Sequence, residues 1–220
     1  MMDTEKRAML LHALAEYVTP EKQKKIDEVL ALRTRYITPV LEDVFQPHNA
    51  SAIVRSTECF GVQDVHCVQD KYRFNVNQGV ARGAAYWMNI RSHVSMQSCI
   101  ASLKEQGYRI VATTPHTDAY DLHDLPIDQK TALLFGTELT GLSEYSMANA
   151  DTFVKIPMVG FTESFNVSVS VALCLYDVTQ RLRRSSIKWQ LTDEEKEVVR
   201  LQWYKRIVRA SEQIERQLLE

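Results

Sequence analysis

The chain has 220 residues, 45% of them hydrophobic, and a formal net charge of −2. That is enough apolar material for one large domain with appendages, and it excludes a disordered chain or a uniformly basic nucleic-acid binder. No run approaches the roughly 18 apolar residues of a membrane span, and the start MMDTEKRAML lacks the apolar core of a secretory signal, so a soluble cytoplasmic protein with no membrane partner is expected.

The four cysteines, Cys59, Cys67, Cys99 and Cys174, stand apart with no C-x-x-C pair, which predicts buried thiols, no disulfide framework and no metal. At the amino end, Met9, Leu10, Leu14 and Val18 recur at helical spacing, and Thr19 with Pro20 opens a second helix through Ile26, Val29, Leu30 and Leu32. Lys22, Lys24, Lys25, Arg33 and Arg35 make residues 1–35 basic on one side. This extension reads either as a dimer prop or core cover, or as an RNA-touching arm.

From Tyr36 strand and helix alternate, the pattern of a parallel sheet with helices on its faces. Val40 to Phe45 reads as a strand, Asn49 to Phe60 as a helix capped by Asn49, and Val65 to Val68 as a second strand. Gln69 to Arg91 reads as a long loop with one helical turn, and Met96 to Gln106 as an amphipathic helix closed by Gly107. Three strands follow, Tyr108 to Thr113, Thr131 to Phe135 and Phe153 to Ile156, with a short helix from Ser143 to Asn149 before the last. Each strand ends in small or polar residues, as a pocket at the carboxyl edge of an open sheet requires. The helix that starts near Asn166 carries Val167, Val169, Val171, Leu173 and Leu175 on nearly every side, which predicts burial all round. Beyond Arg184, Thr192 and Glu195 form a capping-box pair at the head of what reads as one long helix. Between Arg181 and Ala210 nine Lys/Arg face four Asp/Glu, a local charge of +5 on either a solvated face or a phosphate-binding one. No G-x-G-x-x-G and no G-x-x-x-x-G-K-[ST] occurs, which disfavours a nicotinamide or ATP enzyme.

Three blocks in order, PHNASAIVRSTECFGV (47–62), LLFGTELTGLSEYSMANAD (133–151) and IPMVGFTESFNVSVSVALCLYD (156–177), resemble the SpoU/TrmH-type branch of the SPOUT methyltransferases. Within that family the chain looks most like the tRNA (guanosine 2'-O) members. The resemblance implies an α/β parallel sheet with helices on both faces and a carboxyl-terminal trefoil knot, in a methyltransferase domain over 36–184. Helical extensions at 1–35 and 185–220 complete it. It further implies a homodimer that takes S-adenosylmethionine as cofactor and tRNA as partner, and that methylates the ribose of the D-loop guanosine. A ribosomal-RNA ribose methyltransferase and a non-catalytic RNA-binding dimer are the alternatives.

The resemblance also assigns residues. Thr113, Thr114, Gly136, Glu138, Ile156, Met158, Ser164 and Phe165 are the implied cofactor site, read largely through backbone groups. Arg55, Asn49, Glu138, Ser164 and Asn166 are the implied catalytic set, and Lys24, Lys25, Arg33, Arg35, Arg181, Arg183 and Arg184 the implied RNA contacts. Glu163 and Phe165 stand where relatives have Gln and Leu; a carboxylate there adds a negative charge near a cationic sulfonium. Arg55 sits in an otherwise apolar helix, where burial without an acceptor costs several kcal/mol. As a general base it would have to give up a guanidinium proton near neutral pH, which that side chain holds too firmly to release. Holding a phosphate and stabilising charge on the 2'-oxygen is the role we assign to it. His48, beside Pro47, is the other candidate base, since imidazole is the side chain most often used for proton transfer near neutrality.

Overall fold

The strand Thr131–Phe135 is buried along its whole length, and its residues sort alternately into two hydrophobic cores: Leu133 and Phe135 into one, Ala132 and Leu134 into the other. A strand with both faces covered is the ordinary condition of a parallel sheet. The computed structural model describes residues 3–44, 46–69, 83–115 and 118–219. Among these the strands are β1 (Ile37–Glu42), β2 (Asp64–Val68), β3 (Asn89–His93), β4 (Arg109–Thr113), β5 (Tyr120–Asp121), β6 (Thr131–Phe135) and β7 (Thr152–Lys155). They form one parallel sheet in the order β3-β2-β1-β6-β4-β7-β5. Helices α3 (Pro47–Cys59) and α6 (Val167–Arg184) pack on one face, α4 (Met96–Glu105) and α5 (Glu144–Asn149) on the other.

This sheet and its helices make up one unit, Thr34–Trp189; Met1–Arg33 and Gln190–Glu220 make up a second, wholly helical one. The second contains α1 (Thr4–Ala15), α2 (Pro20–Leu30), α7 (Asp193–Ile207) and α8 (Ser211–Leu219). Inside it the buried Arg7 lies 3.4 Å from Glu194 and 3.3 Å from Glu197, and Arg200 pairs with Asp27 at 2.6 Å. Thr192 and Glu195 form the capping box of α7. No described helix is long and apolar enough to cross a membrane.

Several expectations need correction. Of the four thiols expected to be buried, Cys59 is exposed near the end of α3, while Cys67, Cys99 and Cys174 are buried. The stretch Gln69 to Arg91 is not all loop, for Asn89–His93 forms the edge strand β3; residues 70–82 within it lie outside those described. NIRSH carries a single aliphatic residue, so its own pattern is mute, and pairing with β2 from Asp64↔Asn89 to Val68↔His93 supplies what propensity lacks. The carboxyl tail is two helices, with Ser211 Oγ donating to the Lys205 carbonyl at 2.8 Å across the break. Helix α3 starts at Pro47 with Gln46 as its N-cap, so Asn49 lies inside the first turn and is free for other bonds. Helix α6 is buried on one face only: Val171, Cys174, Leu175, Val178 and Leu182 enter the core, while Val169, Leu173 and Tyr176 are 43%, 37% and 58% exposed.

Candidate active site

Strands β4, β6 and β7 end side by side, and their following loops enclose a cleft of about 540 Å³. Thr113, Thr114, Gly136, Glu138, Ile156, Met158, Ser164 and Phe165 all line it. The first loop is held by Thr113, whose Oγ1 donates to the Leu134 carbonyl at 2.7 Å, and by the Thr114 amide on the Val154 carbonyl at 3.0 Å. The second turns back on itself: Thr137 and Gly141 exchange backbone hydrogen bonds of 3.1 and 3.0 Å, with Gly141 at φ +67°. Gly136 is required there, since a Cβ would fall 2.1 Å from the Gly141 carbonyl carbon. At the inner wall Cys174 is no nucleophile, because burial, with Asp177 adding to it, pushes its thiol up to about 12.

At Glu138, which lines this cleft, three polar side chains from three distant segments join. Glu138 Oε1 accepts from Asn49 Nδ2 at 3.0 Å and from Asn166 Nδ2 at 2.6 Å. Asn166 Nδ2 also donates to Asn49 Oδ1 at 3.1 Å, and Gln46 Oε1 accepts from Asn49 at 3.0 Å. With its own Oδ1, Asn166 caps α6 through the Ser168 amide at 2.9 Å. One carboxylate oxygen is therefore fixed by two amides, themselves anchored by helix starts, while Glu138 Oε2 makes no hydrogen bond among the described residues. Such an arrangement can orient a ribose hydroxyl with little reorganisation.

Arg55 is not brought into this trio. It is exposed on the outer side of α3, lines neither cleft and has no hydrogen bond or ion pair among the described residues, so the expected cost of its burial does not arise. His48 is also exposed and away from both clefts. Ser164 and Glu163 line the cofactor-sized cleft as exposed residues.

Sequence reasoning missed the neighbouring hollow, of about 900 Å³, which shares Glu138 and the Thr137–Leu142 turn with the first. Its walls include Glu42, Asp43, Gln46 and Asn49. Glu42 is 7% exposed and accepts from the Ser143 amide at 3.1 Å and Ser146 Oγ at 2.8 Å; Asp43 takes a left-handed φ of +52°. Glu42 ends β1 and Asp43 follows it at the sheet's carboxyl edge, a signal hidden when the strand is read on to Phe45.

The basic residues separate by what already holds them. Arg33 is 1% exposed under the Trp203 ring, its guanidinium carbon 5.4 Å from the ring centre. Arg35 pairs with the buried Asp64 at 2.7 Å. Burial alone would raise that carboxyl, but Arg35, Arg91 and the Asn89 amide outweigh it and hold it below the usual range. Arg181 pairs with Asp177 at 2.7 Å and donates to the Leu125 and Leu122 carbonyls, and Arg183 donates to the Phe60 carbonyl. Lys24, Lys25 and Arg184 are exposed.

Residues 37–176 match the SpoU rRNA Methylase family. The chain is similar to the tRNA (guanosine(18)-2'-O)-methyltransferase of Borreliella burgdorferi, 44% identical over 92% of this chain and 93% of that one. Its counterpart in Thermus thermophilus is 37% identical over 75% of this chain and 86% of its own. Among solved structures, the TrmH/SpoU tRNA modifying enzyme of A. aeolicus superposes with a TM-score of 0.77 at 27% identity, over 86% of this chain and 97% of that one. The SpoU methyltransferase AviRb from Streptomyces viridochromogenes, solved in complex with the cofactor AdoMet, shares the fold at 21% identity with a TM-score of 0.64, over 72% and 65% of the two chains.

Proposed function

The chain belongs to the SpoU rRNA Methylase family, and from that premise we propose that it moves a methyl group from S-adenosylmethionine to the ribose 2'-hydroxyl of guanosine 18 in the D-loop of tRNA. The observation that carries the reading is the Asn49–Glu138–Asn166 trio, joined at a wall residue of a cleft lined by all eight residues assigned to the cofactor. The tRNA substrate, rather than ribosomal RNA, is supported by a relative so named that matches 92% of the chain and another that matches 75%.

The cleft suits the cofactor chemically. Its volume falls within the range of small-molecule sites, and its walls offer backbone donors and acceptors from three loops, with Gly136 keeping the second loop tightly turned. When bound, the cofactor would supply the methyl group from its sulfonium, the electron pair of the broken carbon–sulfur bond would return to sulfur, and the 2'-hydroxyl proton would pass to solvent as the oxygen–carbon bond forms. Asn49 and Asn166, held by Glu138, orient the ribose so that its 2'-oxygen lies in line with that bond. Arg55 grips the adjoining phosphate and stabilises the charge that grows on the 2'-oxygen.

A second copy of the chain is part of the proposal. Its support is the outward stripe Val169, Leu173 and Tyr176 on α6, spaced at four and seven residues and left open by the chain alone. Helix α3 packs beside α6, so the partner seated on this stripe would bring its own Arg55 toward the cleft that Arg55 does not reach in its own chain. The trefoil knot implied by the resemblance belongs to the same reading. The RNA-binding set narrows to the exposed Lys24, Lys25 and Arg184, of which Lys25 makes only a solvent-exposed pair with Glu28, since Arg33, Arg35, Arg181 and Arg183 are held in buried or half-buried contacts.

The test is methyl transfer from labelled S-adenosylmethionine to tRNA carrying either guanosine or 2'-deoxyguanosine at position 18. Label in the first and none in the second is expected. Equal label in both, or label confined to ribosomal RNA, overturns the assignment. Arg55→Lys tests the arginine: turnover close to wild type would show that the bidentate fork is dispensable.

A further inference from the structure

In the layer between the sheet and α4, away from the trio, β2, β3 and α4 bring three metal-competent side chains together. His66, in the middle of β2, is 3% exposed, and its Nδ1 lies 2.8 Å from Nε2 of His93, the last residue of β3. The two rings stack with an interplanar angle of 18°. Cys99, fully buried in the first half of α4, completes the group: its Sγ and one nitrogen of each imidazole all lie within 4.8 Å of one another. A hydrogen bond between two imidazoles holds one proton, so one of the facing nitrogens donates and the other offers a bare lone pair.

We propose that His66, His93 and Cys99 form a binding site for a zinc-class divalent cation, a structural site that ties β2, β3 and α4 together and takes no part in methyl transfer. Two imidazoles and a sulfur, with no carboxylate in the group, exclude magnesium and calcium, which bind through oxygen, and suit zinc or its spectroscopic surrogate cobalt(II). Tetrahedral zinc with nitrogen at about 2.0–2.1 Å and sulfur at about 2.3 Å sets its ligand atoms roughly 3.3–3.6 Å apart. Loading therefore parts the facing imidazole nitrogens, now 2.8 Å apart, by roughly 0.5 Å, and since the thiol already lies within 4.8 Å of them it moves inward by no more than about 1.5 Å.

The proton balance closes without any redox partner. Cys99 releases its thiol proton to solvent as the metal–sulfur bond forms. The proton shared by the two rings moves to an outward ring nitrogen, and water fills the fourth position. His93 is half-buried, which leaves the ion a way in from solvent. Met96, one turn before Cys99, lines the acidic hollow beside Glu42, so the bound ion would stiffen that wall.

Full-length protein, freed of metal by chelation and dialysis, is titrated with cobalt(II) under exclusion of oxygen and followed by absorption. One equivalent should bind with a sulfur-to-cobalt charge-transfer band and the strong visible bands of a tetrahedral site, and zinc should displace it. Cys99→Ser should abolish the charge-transfer band, and His93→Gln should weaken binding by about tenfold or more. Both variants are checked for native far-UV circular dichroism, and His93, being half-buried, tolerates the change if His66 does not. Zinc should raise Tm reversibly in the wild type and leave Cys99→Ser unmoved. No cobalt binding, a spectrum unaltered by both substitutions, or binding abolished instead by Asp121→Asn with Asp124→Asn, which removes the exposed Asp121–His123–Asp124 group, overturns the proposal.

Discussion

The two faces of α6 are built from the same kinds of residue and behave in opposite ways. Val171, Leu175 and Val178 are almost completely sealed by the sheet and α3, whereas Val169, Leu173 and Tyr176, on the far side of the same helix, remain open. The inner face is a folding surface and the outer one, in our reading, an assembly surface. Apolar character by itself does not say which of the two a residue serves.

Substitutions along the helix can break or sharpen that contrast. Leu175→Ala should remove about 2–5 kcal/mol of stability by opening a cavity in the core, read by urea unfolding. At the helix start, Asn166→Ala should cost about 1 kcal/mol as a lost cap. The same change should lower methyl transfer on the order of 100-fold by releasing Glu138 and Asn49. Asn166→Asp separates these two effects, for it keeps the cap and sets a second carboxylate against Glu138; near-native stability with lost turnover is the expected outcome. Leu173→Glu should change the unfolding free energy of the chain by less than about 0.5 kcal/mol yet leave a monomer in light scattering. A dimer that survives this substitution would remove the distinction between the faces. The smallest effect is expected at the far end of α6, where Arg184→Ala should leave stability unchanged and reduce the salt dependence of tRNA binding by about one unit of slope.

The basic residues carry the same lesson as the helix. A count of Lys and Arg cannot separate Arg184, open to solvent, from Arg33, which lies sealed beneath Trp203, because a guanidinium serves a phosphate or an internal ring with the same five donors. Arg181 is diverted by a neighbour one helical turn away, Asp177, and that pairing is visible in the spacing. Arg183 is diverted by the Phe60 carbonyl, 123 positions distant, and no local pattern announces it.

Much of the architecture was legible in the amino-acid order. Short apolar runs marked β4 and β6, the capping pair Thr192–Glu195 opened α7 where expected, and the small residues after β4 and β6 marked the edge where the cleft lies. These are features whose cause is local: an apolar run between two covered faces, a side chain reaching its own backbone, a glycine where a Cβ cannot fit. What depends on partners distant along the chain was decided only by tertiary structure. The edge strand β3 exists because β2 offers it hydrogen bonds, Asn49 left the helix cap for Glu138 and Asn166, and His66, His93 and Cys99 share one corner without sharing a motif. Hydrogen bonds and ligand sets are satisfied by proximity in space, and sequence spacing records only the part of that proximity which lies along one helix or one strand.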